Sequence, residues 1–233
     1  KNSGIGVGLP DIGRTILEVQ NGKIIIRTSA ACMGQGVGTT MTQIVCEVLN
    51  IDANSVVWIQ PDTKRTPDAG TSTASRQTLF TGEATRIAAA IKGNDLNSVN
   101  GQEFYGEYYG KTDKMGSEKN NPISHVAYGY ATQVVILNKD GSLKKVIAAH
   151  DVGKAINPLN VEGQIEGGVV MGLGYALTED YPLKESIPTA KFGTLGLFRS
   201  TMVPEIVPII VEKSTSKLAF GAKGVGEITC IPT

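Results

Sequence analysis

Four short segments gather residue types that could do chemistry. In Met33-Gly34-Gln35-Gly36, glycines stand just ahead of a helical pattern that begins near Val37. A helix N-terminus carries unpaired N–H groups and a partial positive charge, and glycines let a phosphate come close. An ordinary turn into a helix would read the same way. In Gly70-Thr71-Ser72-Thr73-Ala74-Ser75-Arg76, hydroxyls, amides and one guanidinium collect before a second helix. Arg can hold phosphate or pyrophosphate bidentately; a Ser N-cap in a solvated loop is the plain alternative. Gln164, in Gly163-Gln164-Ile165-Glu166-Gly167, can both donate to and accept from a heterocycle edge such as a pterin, or be a simple surface amide. Glu227 closes Gly221-Ala222-Lys223-Gly224-Val225-Gly226-Glu227. A carboxylate among small residues suits a closed site in which it works as a base, although a cap or exposed turn fits the same letters. His150 and Asp151, adjacent in the chain, could pair structurally.

These residues need elements to position them. Residues 15–20 and 23–29 flank Asn21-Gly22, the preferred two-residue type I′ loop, and predict a β-hairpin. Val37, Met41, Ile44, Val45, Val48 and Leu49 recur at helical spacing, with Asn50 as the stop. A strand over 56–60 follows. Ser75 is a candidate N-cap for a helix running to about Lys92. Residues 126–137 and 143–149 predict a second hairpin around 138–141, and a helix follows from about Val161 to Leu177. That helix holds Gly163, Gly167, Gly168, Gly172 and Gly174. Each interior glycine costs about 1 kcal/mol against alanine, so something should approach its backbone closely. A strand over 205–212 and a tight loop over 221–227 complete the reading. Hairpin, loop and helix thus occur twice, which predicts an α+β fold of two related halves. The expected division is 1–95 for the first subdomain, 96–125 for a polar connector, and 126–233 for the second.

Composition narrows the class. The 233 residues suffice for one large domain or two small ones; 41% are hydrophobic, and 22 Lys+Arg balance 22 Asp+Glu. Neither nucleic acid nor an anionic membrane would meet a basic field, and no apolar run is long enough to span a bilayer. Cys32, Cys46 and Cys230 form no CxxC pair, which argues against an iron–sulfur cluster or structural zinc in this chain. Unpaired thiols fit a cytoplasmic location. The chain starts without Met and stops after a glycine-rich loop, so it reads as part of a longer polypeptide.

The four segments, in this order, resemble the second half of the molybdenum-binding region of the xanthine dehydrogenase/aldehyde oxidase family. Besides the segments quoted, the likeness is carried by Ala149-His150-Asp151-Val152-Gly153-Lys154-Ala155-Ile156-Asn157-Pro158 and Lys223-Gly224-Val225-Gly226-Glu227. The resemblance implies a molybdopterin cofactor, its metal held by the pterin and not by side chains. Met33, Gly34, Gln35 and Gly36 would meet its phosphate end; Ala74, Ser75, Arg76 and Gln77 would form a second cofactor loop. Gln164 would hydrogen-bond the pterin, Gly226 would lie beside the metal, and Glu227 would be the catalytic base. Arg76 and Gln77 replace small residues of the animal enzymes, and an Arg there would suit the cytosine dinucleotide form of the cofactor. The wording at 101–130 and 190–205 looks closest to the selenium-dependent branch, which would add selenium as a metal ligand.

The implied activity is hydroxylation of a purine-like heterocycle such as xanthine or hypoxanthine, with water as the oxygen source. Aldehyde or nicotinate-type substrates, or a non-catalytic cofactor scaffold, are the alternatives. Partners would be the N-terminal half of the molybdenum-binding region together with iron–sulfur and FAD modules. The isolated chain would be inactive.

Overall fold

The computed structural model describes residues 2–233. Strand β1 (Ile12–Gln20) alternates strictly, turning Gly13, Thr15, Leu17 and Val19 to the interior. It pairs antiparallel with β2 (Lys23–Arg27) across Asn21 and Gly22, whose φ values of 52° and 72° are those of the type I′ loop their sequence predicts. Helix α1 (Val37–Leu49) follows and ends as predicted: Asn50 adopts φ 55° and returns its N–H to the carbonyl of Cys46. Strand β3 (Val56–Trp58) is two residues shorter than its predicted span. Next come helix α2 (Gln77–Ala88) and strand β4 (Glu103–Tyr109). The second half contains β5 (Ala131–Leu137), β6 (Leu143–Asp151), helix α3 (Pro158–Leu177) and β7 (Glu205–Val211).

Two larger sheets, ordered β3-β2-β1-β4 and β7-β6-β5, stand beside two short two-stranded pairs among the described residues. In each larger sheet, the strand after the helix pairs in parallel with the second strand of the hairpin: β3 with β2, and β7 with β6. The predicted duplication is therefore a repeated hairpin, helix and parallel strand. One core gathers Leu17, Ile24, Ile26, Met41, Ile44 and their neighbours between the first sheet and its helices. The other gathers Val146, Ala148, Ile165, Val169 and Leu173 beneath α3.

Three expectations need correction. The stretch 96–125 is not simply a connector, because β4 lies within it and pairs with β1 from Ile12 to Glu18. Its period-two signal is faint because one inward residue is Gly106, where any side chain would collide with the backbone of Ala84 and Ala88. Gly106 thereby lets α2 lie directly on the sheet. Secondly, the helix expected over 75–92 starts at Gln77 and gives way to a 3₁₀ turn at Ala89–Ile91. Ala74 and Ser75 hold φ 51° and 46°, which removes Ser75 from the capping position. Thirdly, the strand expected over 126–137 is broken: Ala127–Tyr128 pairs with Asn2–Ser3, and β5 starts afresh at Ala131.

The glycines of α3 divide by surroundings. A side chain at Gly168 would strike Thr229, and one at Gly172 would meet the carbonyl of Cys230 at 2.8 Å. The close approach expected there comes from the chain's own residues 226–233. Gly163 and Gly167 face open space.

Candidate functional site

The starts of α1, α2 and α3 and the loop 222–227 converge on a cleft of about 460 Å³ between the two halves. Met33, Gly34 and Gln35 line it from the segment before α1, and Ser75, Arg76 and Gln77 from the start of α2. Gln164 lines it from α3, and Gly226 and Glu227 from the fourth loop. The structure thus brings nine of the eleven sequence-predicted site residues into one wall. Gly36 faces a second cavity of about 420 Å³, together with Cys32 and Trp58. Ala74 precedes Ser75 without lining either.

The helix starts differ in how they are satisfied. Neither α1 nor α2 has a side-chain cap, whereas Asn157 caps α3 by accepting from the N–H of Asn160 at 2.9 Å. The amide of Asn157 also donates to Gln43 of α1 at 3.0 Å, tying the halves beside the cleft. Two uncapped N-termini lining one cavity are electrostatically ready for an anion. The start of α1 already acts on Cys32: the N–H groups of Gly34, then Gly36, Val37 and Gly38, draw its thiol below the ordinary value against an upward pull from burial. Asn160, which also lines the cleft, has a buried Nδ2 without a hydrogen-bond partner and sits against Gly36. Buried amides normally find an acceptor, so this orphan fits a phosphate-bearing ligand at the start of α1. Gln35 spends its side chain locally, accepting from the N–H of Met33 at 2.5 Å and donating to the carbonyl of Ala31 at 2.7 Å.

Arg76 corrects its expected role. Its side chain is fully buried, with Nε donating to Asp11 at 2.5 Å and Nη1 to the carbonyls of Ala69 and Thr71. Nη2 donates to the carbonyl of Ile12, and the guanidinium stacks 4.8 Å from the Phe80 ring centre. With its donors committed inward, the guanidinium is no phosphate clamp; it braces the loop that ends in Ser75.

Glu227 stands exposed at the start of a 3₁₀ turn, Gly226–Thr229, and its carboxylate accepts from the hydroxyl of Ser75. Its loop is pinned on every side. Lys223 donates its ammonium to Asp151 at 2.6 Å and its backbone N–H to Val152 at 3.0 Å. The N–H of Gly224 donates to the Ser3 hydroxyl at 2.7 Å, and Gln133 donates to the carbonyl of Thr229 at 2.8 Å. Asp151 therefore pairs with Lys223 and not with His150 as expected. Both ring nitrogens of His150 are buried without a hydrogen-bond partner, and burial pushes the imidazole below its ordinary value.

Sequence reasoning missed Asn160, Asp11 and Lys223. Lys223 lay inside a quoted motif, but an ion pair with a residue 72 positions away leaves no local signal. Asn160 has a faint one, its position three residues after the capping Asn157.

The profile of the molybdopterin cofactor-binding domain family matches residues 3–104 and 93–204. The xanthine dehydrogenase molybdenum-binding subunit of Escherichia coli O157:H7 is 26% identical over 269 residues, covering 97% of this chain and 36% of that protein. The gamma subunit of the 6-hydroxypseudooxynicotine dehydrogenase complex of Paenarthrobacter nicotinovorans is 27% identical, covering 97% of this chain and 34% of that protein. The crystal structure of the aldehyde oxidoreductase from Desulfovibrio desulfuricans superposes with a TM-score of 0.84 at 26% identity, covering 98% of this chain and 28% of that one. The chain spans about a third of the length of the curated relatives it matches.

Proposed function

The chain belongs to the molybdopterin cofactor-binding domain family of the molybdenum hydroxylases, and from that premise we propose that its cleft holds one side of the cofactor and that Glu227 is the catalytic base. The observation that carries the reading is the meeting of Glu227 with two uncapped helix starts and the Gln164 amide in one cavity. The orphaned Asn160 amide adds a donor without an acceptor where the phosphate end would lie.

In this reading the backbone around Met33, Gly34, Gln35 and Gly36 receives the phosphate end, and the loop Ala74, Ser75, Arg76 and Gln77 borders the cofactor through its backbone. Gln164 orients the pterin by its amide, and Gly226 leaves room beside the metal. When bound, the cofactor supplies the redox chemistry by which an electron-poor carbon is hydroxylated with oxygen from water. Glu227 accepts a proton at its carboxylate, which the surrounding loop holds facing the cleft. General-base participation of this kind is worth roughly 10²- to 10⁴-fold.

The complete protein is proposed to be a cytoplasmic molybdenum hydroxylase of purine-like heterocycles, with the remainder of the molybdenum site and the iron–sulfur and FAD modules on other domains or subunits. Relatives named for xanthine, aldehyde and 6-hydroxypseudooxynicotine make a panel of these substrate classes the measurement that decides among them. Nucleotide release on acid hydrolysis and elemental analysis of the complete protein test the cytosine dinucleotide form and selenium.

The central test is Glu227→Gln in the complete enzyme. Turnover should fall by roughly two to four orders of magnitude with cofactor content unchanged. Near-wild-type turnover with the cofactor loaded would overturn the assignment.

A further inference from the structure

Ser75 is held in a conformation that its own chemistry does not favour. Both it and Ala74 lie in the left-handed region, which non-glycine residues occupy rarely and keep only where their surroundings impose it. The surroundings are visible. On one side, Arg76 is locked into the interior by Asp11 and three backbone carbonyls. On the other, the N–H of Gly4 donates to the carbonyl of Ala74 at 3.3 Å. Gly224 packs so tightly on Ser75 that a side chain there would come within 2.9 Å of its Cβ. What this gains is the direction of one hydroxyl, which donates to the carboxylate of Glu227 across 152 residues of sequence. Gly226 runs past the same hydroxyl, where an added Cβ would meet it at 2.8 Å.

We propose that Ser75 is a positioning residue for Glu227: its hydroxyl fixes the carboxylate in one orientation and favours its ionised, proton-accepting form. The proposal rests on the reading of Glu227 as the base. A hydroxyl donating to a carboxylate stabilises the charged form over the acid, and hydrogen bonds to charged groups are among the stronger ones in proteins. The buried Arg76–Asp11 pair then serves the site at one remove, by holding Ser75 in place.

The test uses the complete enzyme with Ser75→Ala, Ser75→Gly and Glu227→Gln in parallel. Ala keeps the volume without the hydroxyl, and Gly relieves the backbone as well. Both serine variants should retain pterin and molybdenum, and both should move the acid limb of the kcat/KM profile upward by about one pH unit. Infrared titration of the cofactor-free protein gives an independent reading. The carboxylate band identified by subtraction of Glu227→Gln should titrate at higher pH in Ser75→Ala. An unmoved acid limb in an enzyme that Glu227→Gln disables overturns the positioning role alone. Loss of pterin from both serine variants with the limb unmoved overturns it in favour of a cofactor-binding hydroxyl. An active Glu227→Gln enzyme removes the base itself, and the proposal with it.

Discussion

Arg76 and Asp11 face each other at 2.5 Å with their side chains 0% and 1% exposed, an ion pair sealed inside the first half of the fold. Removing one member of such a pair strands the other charge in a low-dielectric interior. Arg76→Met should therefore destabilise the protein by about 3–5 kcal/mol. Thermal unfolding should register this as a drop of roughly 6–20 °C for a chain of this size. Replacing both members, as Arg76→Met with Asp11→Leu, should recover most of the loss. Equal instability of the single and double variants would show that the carbonyl contacts, and not the charge, carry the effect.

Helix α3 offers a paired test of its glycines. Gly168→Ala forces a methyl group against Thr229 and should cost about 1–3 kcal/mol by overpacking. Gly167→Ala adds the same methyl group where nothing lies within 4 Å, and should stabilise by up to about 1 kcal/mol. Denaturant midpoints of the two variants, moving in opposite directions, are the expected result.

His150 ties stability to pH. Burial holds its imidazole below the ordinary value of 6.5. Between that value and the lowered folded one, the unfolded chain binds a proton that the folded chain does not. Stability is thus fully present above pH 6.5 and declines as pH falls through this window. The melting temperature of His150→Leu relative to wild type should rise as pH falls through this window, because the variant lacks this slope. Parallel curves for the two proteins would discard the linkage.

The free thiols should differ in reactivity. Backbone N–H groups draw Cys32 down, whereas burial, reinforced by the Asp52 carboxylate, pushes Cys46 up. The thiolate is the reacting species, and Cys32 is also the exposed one. Iodoacetamide should modify Cys32 several-fold faster than Cys46 at neutral pH, as followed by peptide mass mapping.

The parts of the fold legible in the sequence are those governed by local rules. Asn21-Gly22 states its turn, and the apolar spacing from Val37 to Leu49 states its helix and its Asn50 stop. The loops of the site were visible because glycines and hydroxyls gathered before helices. Strand β4 was not, since its inward face holds Gly106 and two aromatic residues that polar neighbours disguise. Arg76 misled for a related reason. A guanidinium in a hydroxyl-rich loop suits an anion, and only Asp11, 65 residues earlier, shows that the anion is internal. The partners of Ser75 and Lys223 are likewise tertiary, so no sequence window holds both members.

The bond from Gly224 to the Ser3 hydroxyl closes a loop of 221 residues. Contacts of such long separation reward the chain only after its ends have been brought together, and topologies rich in them fold slowly. The Glu227 loop is thus expected to order late, after both sheets have formed. Catalytic competence and the last step of folding would then coincide, and a cofactor bridging the halves would raise the melting temperature by mass action.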